Sequence, residues 1–169
     1  DSCGFGLIAQ LDDRPSRALV EHALEALGRM THRGGVAADG LSGDGCGLLI
    51  KRPEHFLRSL AAEAGIALGA QFASGLVFLP HDDAAAAQAR AGLAQALREV
   101  GLTIAGWRIV PIDDQACGAS ARRSLPRIEQ AYVAPALDID GARPEAAAFQ
   151  HALYLARRRA EQRLRGELP

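Results

Sequence analysis

Glycine sets the first limit on what this chain can fold into. Residues 34–47 run GGVAADGLSGDGCG, with six glycines in fourteen positions. A glycine inside a helix costs roughly 0.5–1 kcal/mol relative to alanine, so no helix crosses this stretch. It reads as a structured loop feeding a strand over residues 46–51. The same glycines suggest a phosphate-binding loop. However, no Lys-Ser/Thr pair follows the last of them, and a strand is expected to follow rather than the helix a dinucleotide loop requires. The pattern argues against nucleotide binding.

Around this loop the chain is patterned for both helices and strands. Residues 3–11 read as a buried strand, with Gly4 and Gly6 allowing close backbone approach. Asp12-Asp13-Arg14-Pro15 makes a turn. Leu19, Val20, Ala23, Leu24, Leu27 and Met30 then recur at helical spacing, predicting a helix to about Thr31 that stops at Gly34-Gly35. Pro53 starts a short helix through about Ala64, with Phe56, Leu57 and Leu60 inward. Residues 72–79 form a core strand ended by Pro80, and Asp82-Asp83 cap an alanine-rich helix to about Val100, closed by Gly101. A strand over 102–112 is kinked at Gly106, residues 115–126 look irregular, and 128–133 make another strand. A final amphipathic helix covers 143–165, with Phe149, Ala152, Leu153, Ala156, Ala160 and Leu164 as its apolar stripe. Helices and adjacent strand pairs in this order define an α+β chain rather than a doubly wound sheet.

The bulk properties narrow the function classes. A chain of 169 residues, 49% hydrophobic, fits one domain with a real core. Nineteen basic residues against twenty acidic give a net charge of −1, which calls for neither a nucleic acid nor an anionic membrane. No apolar run approaches a membrane span or a secretory leader, so the expected setting is cytoplasmic. Three widely spaced cysteines (Cys3, Cys46 and Cys117) form no Cys-x-x-Cys, which argues for a reducing compartment and against a disulfide framework. The five histidines show no metal-ligand spacing.

The opening Asp1-Ser2-Cys3-Gly4-Phe5-Gly6 carries the sharpest chemical possibility. Cys3 is either a small buried hydrophobe or a nucleophile. If Asp1 and Ser2 were removed, one residue would hold a thiol and a free α-amine with a pKa of roughly 7.7–8.0, able to take the thiol's proton. His32-Arg33-Gly34-Gly35 likewise has two readings. Its cations suit a helix C-terminus closed by glycine, and Arg33 beside a thiol would favour thiolate. Arg157-Arg158-Arg159, Arg163 and Arg165 read as a solvated or packing face of the last helix rather than an RNA contact. Cys46 and Cys117 read as structural.

Taken together, Cys3-Gly4-Phe5-Gly6, His32-Arg33-Gly34-Gly35 and Gly43-Asp44-Gly45-Cys46-Gly47-Leu48-Leu49 closely resemble the amino-terminal glutaminase domain of the glutamate synthase large subunit, a class II glutamine amidotransferase. Further segments in the same order are also similar to that family: Gly75-Leu76-Val77-Phe78-Leu79-Pro80, Gly106-Trp107-Arg108, Ser124-Leu125-Pro126-Arg127-Ile128-Glu129-Gln130 and Leu155-Ala156-Arg157-Arg158-Arg159. The resemblance implies an N-terminal-nucleophile fold, a four-layer αββα sandwich of which residues 1–169 would be the first part, with the domain continuing beyond Pro169. It implies hydrolysis of L-glutamine, with Cys3 forming a γ-glutamyl thioester, its freed amine acting as general base, Gly34 giving backbone contacts and Arg33 ordering the site. Ammonia would pass to glutamate formation from 2-oxoglutarate in the remainder of the large-subunit chain. FMN and an iron-sulfur cluster are implied there, with no cofactor in this segment. NADPH, NADH or ferredoxin would supply electrons, in some cases through a small electron-donating subunit.

The sequence departs from that pattern in two ways. Asp1-Ser2 would mask the amine of Cys3 as an amide nitrogen, which cannot accept a proton, so processing is expected before activity. The family's His-Gln-Arg-Tyr-Ser-type stretch and its oxyanion Asn-Gly pair have no match in these residues, and one oxyanion donor is worth roughly 10²–10³ in rate. The 169 residues alone are therefore expected not to turn over glutamine, and to expose apolar edges and faces. The alternatives are another class II amidotransferase, making asparagine, glucosamine phosphate or a purine precursor, and a non-catalytic remnant acting as an interaction module.

Overall fold

The computed structural model describes residues 4–43, 45–136 and 145–167. In chain order the elements are α1 (Arg17–Gly28), α2 (Glu54–Glu63), β1 (Ala73–Leu79), α3 (Asp83–Arg98), β2 (Leu102–Ile109), α4 (Ala119–Ser124), β3 (Arg127–Pro135) and α5 (Ala146–Glu167), with 3₁₀ turns at Thr31–Arg33 and Asp114–Ala116. They divide into two units: Asp1–Arg52 with Ile112–Leu125, and Pro53–Pro111 with Pro126–Pro169.

The larger unit is built on an antiparallel sheet in the order β1-β3-β2. Both outer strands pair with β3, and its residues 129–133 are all buried. Successive side chains of a strand point to opposite faces. Val133 joins Leu97, Leu102, Phe149 and Ala156 in a cluster on the α3–α5 side, whereas Tyr132 joins Ala61 and Phe72 on the α2 side. The Tyr132 hydroxyl donates to the Leu57 carbonyl at 3.2 Å, which gives a buried phenol its partner.

Local chemistry accounts for most of the boundaries in this unit. The Asp82 side chain accepts from the Ala85 N–H at 2.7 Å and starts α3. Gly101, at φ 76°, turns the chain into β2. The expected kink is a register shift between Ile104 and Gly106, and a Cβ on Gly106 would lie 2.6 Å from Ile66 Cγ1. The stripe on α5 is buried at Phe149, Ala156 and Ala160, as its spacing predicts. Leu57 packs toward the core as expected, but Phe56 corrects the reading of α2: it is 59% exposed, and Ala61 is the buried residue of the helix. Glu129, 1% exposed, is held by Arg127 Nε at 2.7 Å and Arg90 Nη1 at 3.1 Å, so the buried carboxylate is paired twice.

The smaller unit departs further from expectation. Ser16 caps α1 through the Leu19 N–H at 3.2 Å, but the helix ends at Gly28 rather than near Thr31. Residues 4–10 and 46–50 are not strands, and Phe5, Leu7 and Leu49 are almost fully exposed. An apolar run becomes a strand only where another edge pairs with it, and no described residue offers one to these segments. Residues 115–126, expected to be irregular, contain α4. Among the described residues of this unit only Ser42 and Gly118 are buried.

The α+β class holds. A single three-stranded sheet is present among the described residues, without a second sheet stacked on it. Residues 143 and 144, the expected start of the last helix, lie outside the described residues.

Candidate functional site

The site is built in the smaller unit from the end of α1 onward. After Gly28 the chain tightens into the 3₁₀ turn, where the Arg33 N–H donates to the Met30 carbonyl at 2.8 Å and the Gly34 N–H to the Thr31 carbonyl at 3.2 Å. Gly34 itself is extended, at φ −97° and ψ 150°. Gly4 lies directly against this turn. A Cβ there would sit 3.3 Å from Met30 Sδ and 3.4 Å from Arg33 Cγ, so a larger residue would have to displace the arginine stem. The Arg33 side chain is exposed and pairs with no carboxylate among the described residues. Cys3, the expected nucleophile, and Asp44 of the glycine-rich stretch lie outside the described residues.

Beyond Gly34 the chain doubles back. Val36 and Gly43 form an antiparallel bridge, and the Ala37 N–H donates to the Ser42 carbonyl at 2.7 Å. A Cβ on Gly43 would lie 3.5 Å from the Gly35 carbonyl oxygen, so the two arms run in contact. The tip is organised by Asp39. Its Oδ1 accepts from the Leu41 N–H at 3.1 Å and the Ser42 N–H at 2.8 Å, and its Oδ2 from the Ser42 hydroxyl at 2.6 Å and the Ser120 N–H at 3.1 Å. Ser42 Oγ in turn accepts from the Ala121 N–H at 3.1 Å. Asp39 and Ser42 together satisfy two of the backbone donors that the start of α4 leaves unpaired. The donated hydrogen bonds, led by the Ser42 hydroxyl and then the Ser42 N–H, hold the Asp39 carboxyl well below the usual carboxylate range.

Gly118 closes the arrangement. A Cβ there would fall 2.4 Å from Ser42 Oγ and 2.7 Å from Asp39 Oδ2, distances that only glycine avoids. Asp39, Ser42, Gly118 and Ser120 were not legible as site residues in the sequence. The one local signal is the Asp39-Gly40 pair, a common turn dipeptide, with Gly40 at φ 71°. Of the sequence-expected residues, the structure brings together the Gly4 segment and Arg33-Gly34. Cys46 is exposed and free, and Cys117 is free and half-buried. Among the described residues no cluster of His, Cys, Asp and Glu could hold a metal ion, and no helix is long and apolar enough to cross a membrane.

Residues 3–167 match the family model of the class II glutamine amidotransferases. The chain belongs to this family. It is 42% identical over 139 residues to ferredoxin-dependent glutamate synthase 2 of Synechocystis sp., covering 79% of this chain and 9% of that one. Against the glutamate synthase [NADPH] large chain of Azospirillum brasilense it is 37% identical over 169 residues, 99% of this chain and 11% of the relative. The corresponding chain of Bacillus subtilis is 28% identical over 161 residues, 95% of this chain and 10% of the relative. The chain thus spans about a tenth of the length of the curated relatives it matches.

Proposed function

We propose that this chain is the nucleophile-bearing part of the glutaminase domain of a glutamate synthase, hydrolysing the side-chain amide of L-glutamine. The observation that carries the reading is the seat of Gly4, the residue after Cys3, on the side chain of Arg33. Gly4 and Arg33, 29 residues apart and drawn from the Cys3-Gly4-Phe5-Gly6 and His32–Gly35 motifs, meet there, inside a family match that begins at residue 3. Once Asp1-Ser2 are removed, the Cys3 amine takes the thiol proton and the sulfur attacks the amide carbon. The C–N bond then breaks, ammonia leaves with the proton returned from the amine, and water hydrolyses the γ-glutamyl thioester to glutamate. Arg33 orders the site. The Gly34 N–H is committed to Thr31, so the backbone atom Gly34 has for glutamine is its carbonyl oxygen, an acceptor for a substrate N–H.

The larger frame of this proposal is a four-layer αββα domain continuing beyond residue 169, within a cytoplasmic enzyme. FMN and an iron-sulfur cluster would be bound elsewhere in the longer chain, with electrons from NADPH, NADH or ferredoxin, and a small subunit in some cases. No residue of this chain is assigned to those groups.

The test uses the full chain containing these residues. Ammonia release from L-glutamine is expected from protein whose first residue is Cys3, and Cys3→Ser is expected to reduce it to background. Full activity in that variant, or in protein that mass spectrometry shows still to carry Asp1-Ser2, would refute the assignment.

A further inference from the structure

We infer that Asp39 is a positioning residue for glutamine: through Ser42 it ties the hairpin carrying Arg33-Gly34-Gly35 to α4, and so fixes where that segment meets the substrate. The inference rests on the reading of Cys3, Arg33 and Gly34 as the amide-hydrolysing site. Its support is a continuous set of contacts within one unit. Gly4 rests on Arg33, and the 3₁₀ turn sets Gly34. Gly35 lies against Gly43, Val36 is bridged to it, and Asp39 and Ser42 close the tip and reach the Ser120 and Ala121 N–H groups.

What makes the clamp consequential is that, among the described residues, no apolar core holds this segment. In the smaller unit Ser42 and Gly118 are the only buried residues among those described, and α1 buries none of its side chains. Four hydrogen bonds to one carboxylate shape the tip of the hairpin and reach α4. The two carboxylate oxygens have separate jobs. Oδ1 shapes the tip through Leu41 and Ser42, and Oδ2 makes the long-range connection to α4. Gly118 lets the serine approach this closely, since any Cβ there would meet Ser42 Oγ at 2.4 Å.

Asp39→Asn removes one acceptor while keeping size. Whichever way the amide turns, an NH₂ faces donors that a carboxylate oxygen had served. Ser42→Ala removes the bridge to Ala121 and is the milder change. In the full chain, Asp39→Asn is expected to raise the KM for glutamine roughly tenfold with kcat within about twofold of the parent, as for misplaced binding groups. Ser42→Ala is expected to do the same on a smaller scale. The rate at which iodoacetamide alkylates Cys3 should stay at the parent value, because the nucleophile is not what moves. The inference is overturned if both variants fold with an unchanged KM, if they lose only thermal stability, or if neither folds, since the clamp would then serve the fold alone. Should Asp39→Asn alone fail to fold, the KM of Ser42→Ala decides between these outcomes. Undiminished glutamine hydrolysis by Cys3→Ser would instead sink the underlying site assignment, whatever the Asp39 variants do.

Discussion

At Asp39 one side chain does work that a hydrophobic core does elsewhere, and its ionisation carries a pH signature. The carboxyl has an ordinary pKa of 3.8 and is held well below it in the folded protein. A group with a depressed folded pKa contributes stability that is complete above the unfolded value and is lost as pH falls through the folded one. The clamp is therefore expected to be constant from neutral pH down to about pH 5, and to weaken only below about pH 4. Hydrogen-exchange protection factors for the Ser120 and Ala121 amides, followed against pH, check this. Protection that declines between pH 7 and 5 would assign the titration to some other group, and Asp39→Asn should leave the acid limb flat. None of these partners was readable from local sequence, because the residues accepting from α4 lie about 80 positions earlier. Spacing rules reach three or four residues, whereas this node joins two loops that periodicity cannot relate.

At the scale of elements, agreement between pattern and structure follows how much of each element's environment is local. α3 carries its own cap at Asp82 and its own stop at Gly101, and both were evident in the sequence. α4 has no apolar stripe and borrows its first acceptors from Asp39 and Ser42, so it looked irregular. The segments at 4–10 and 46–50 have the apolar content of strands but no pairing edge among the described residues, and content alone does not make a ladder. Gly106 shows the reverse: the sequence marked a kink, and the reason lies in Ile66, whose side chain occupies the space a Cβ would need. Gly106→Ala is expected to destabilise the protein by about 1–3 kcal/mol, the usual cost of overpacking. Ile66→Val should recover part of that loss only in the Gly106→Ala background, a non-additivity expected of neighbours. Denaturant melts of the two single variants and the double variant measure the coupling, and strictly additive values would contradict it.

Across the whole molecule, protection from solvent is concentrated in the larger unit. Its sheet is covered on the two faces by separate apolar clusters, while the smaller unit keeps most of its described residues at the surface. Amide exchange should accordingly be slowest at residues 129–133 of β3 and fast at 4–10 and 47–50. Uniform protection over both sets would be inconsistent with the burial described. The α+β class was legible because helical and strand periods alternate along most of the chain. The order of the strands was not, since nothing local says that β1 and β2 must both wait for β3.

That order has a consequence for how the protein is made. β1 and β2 never pair with each other, and the strand that joins them is the last of the three to be synthesised. A ribosome adding roughly 5–20 residues per second releases α2, β1, α3 and β2 as a chain with no ladder to form. The sheet can close only after Pro135 has cleared the exit tunnel. During that interval Leu76, Phe78 and Ile109, still exposed in the finished chain, are open to any other strand in the cell. The nascent chain is thus expected to depend on holding chaperones until its central strand, Arg127–Pro135, arrives.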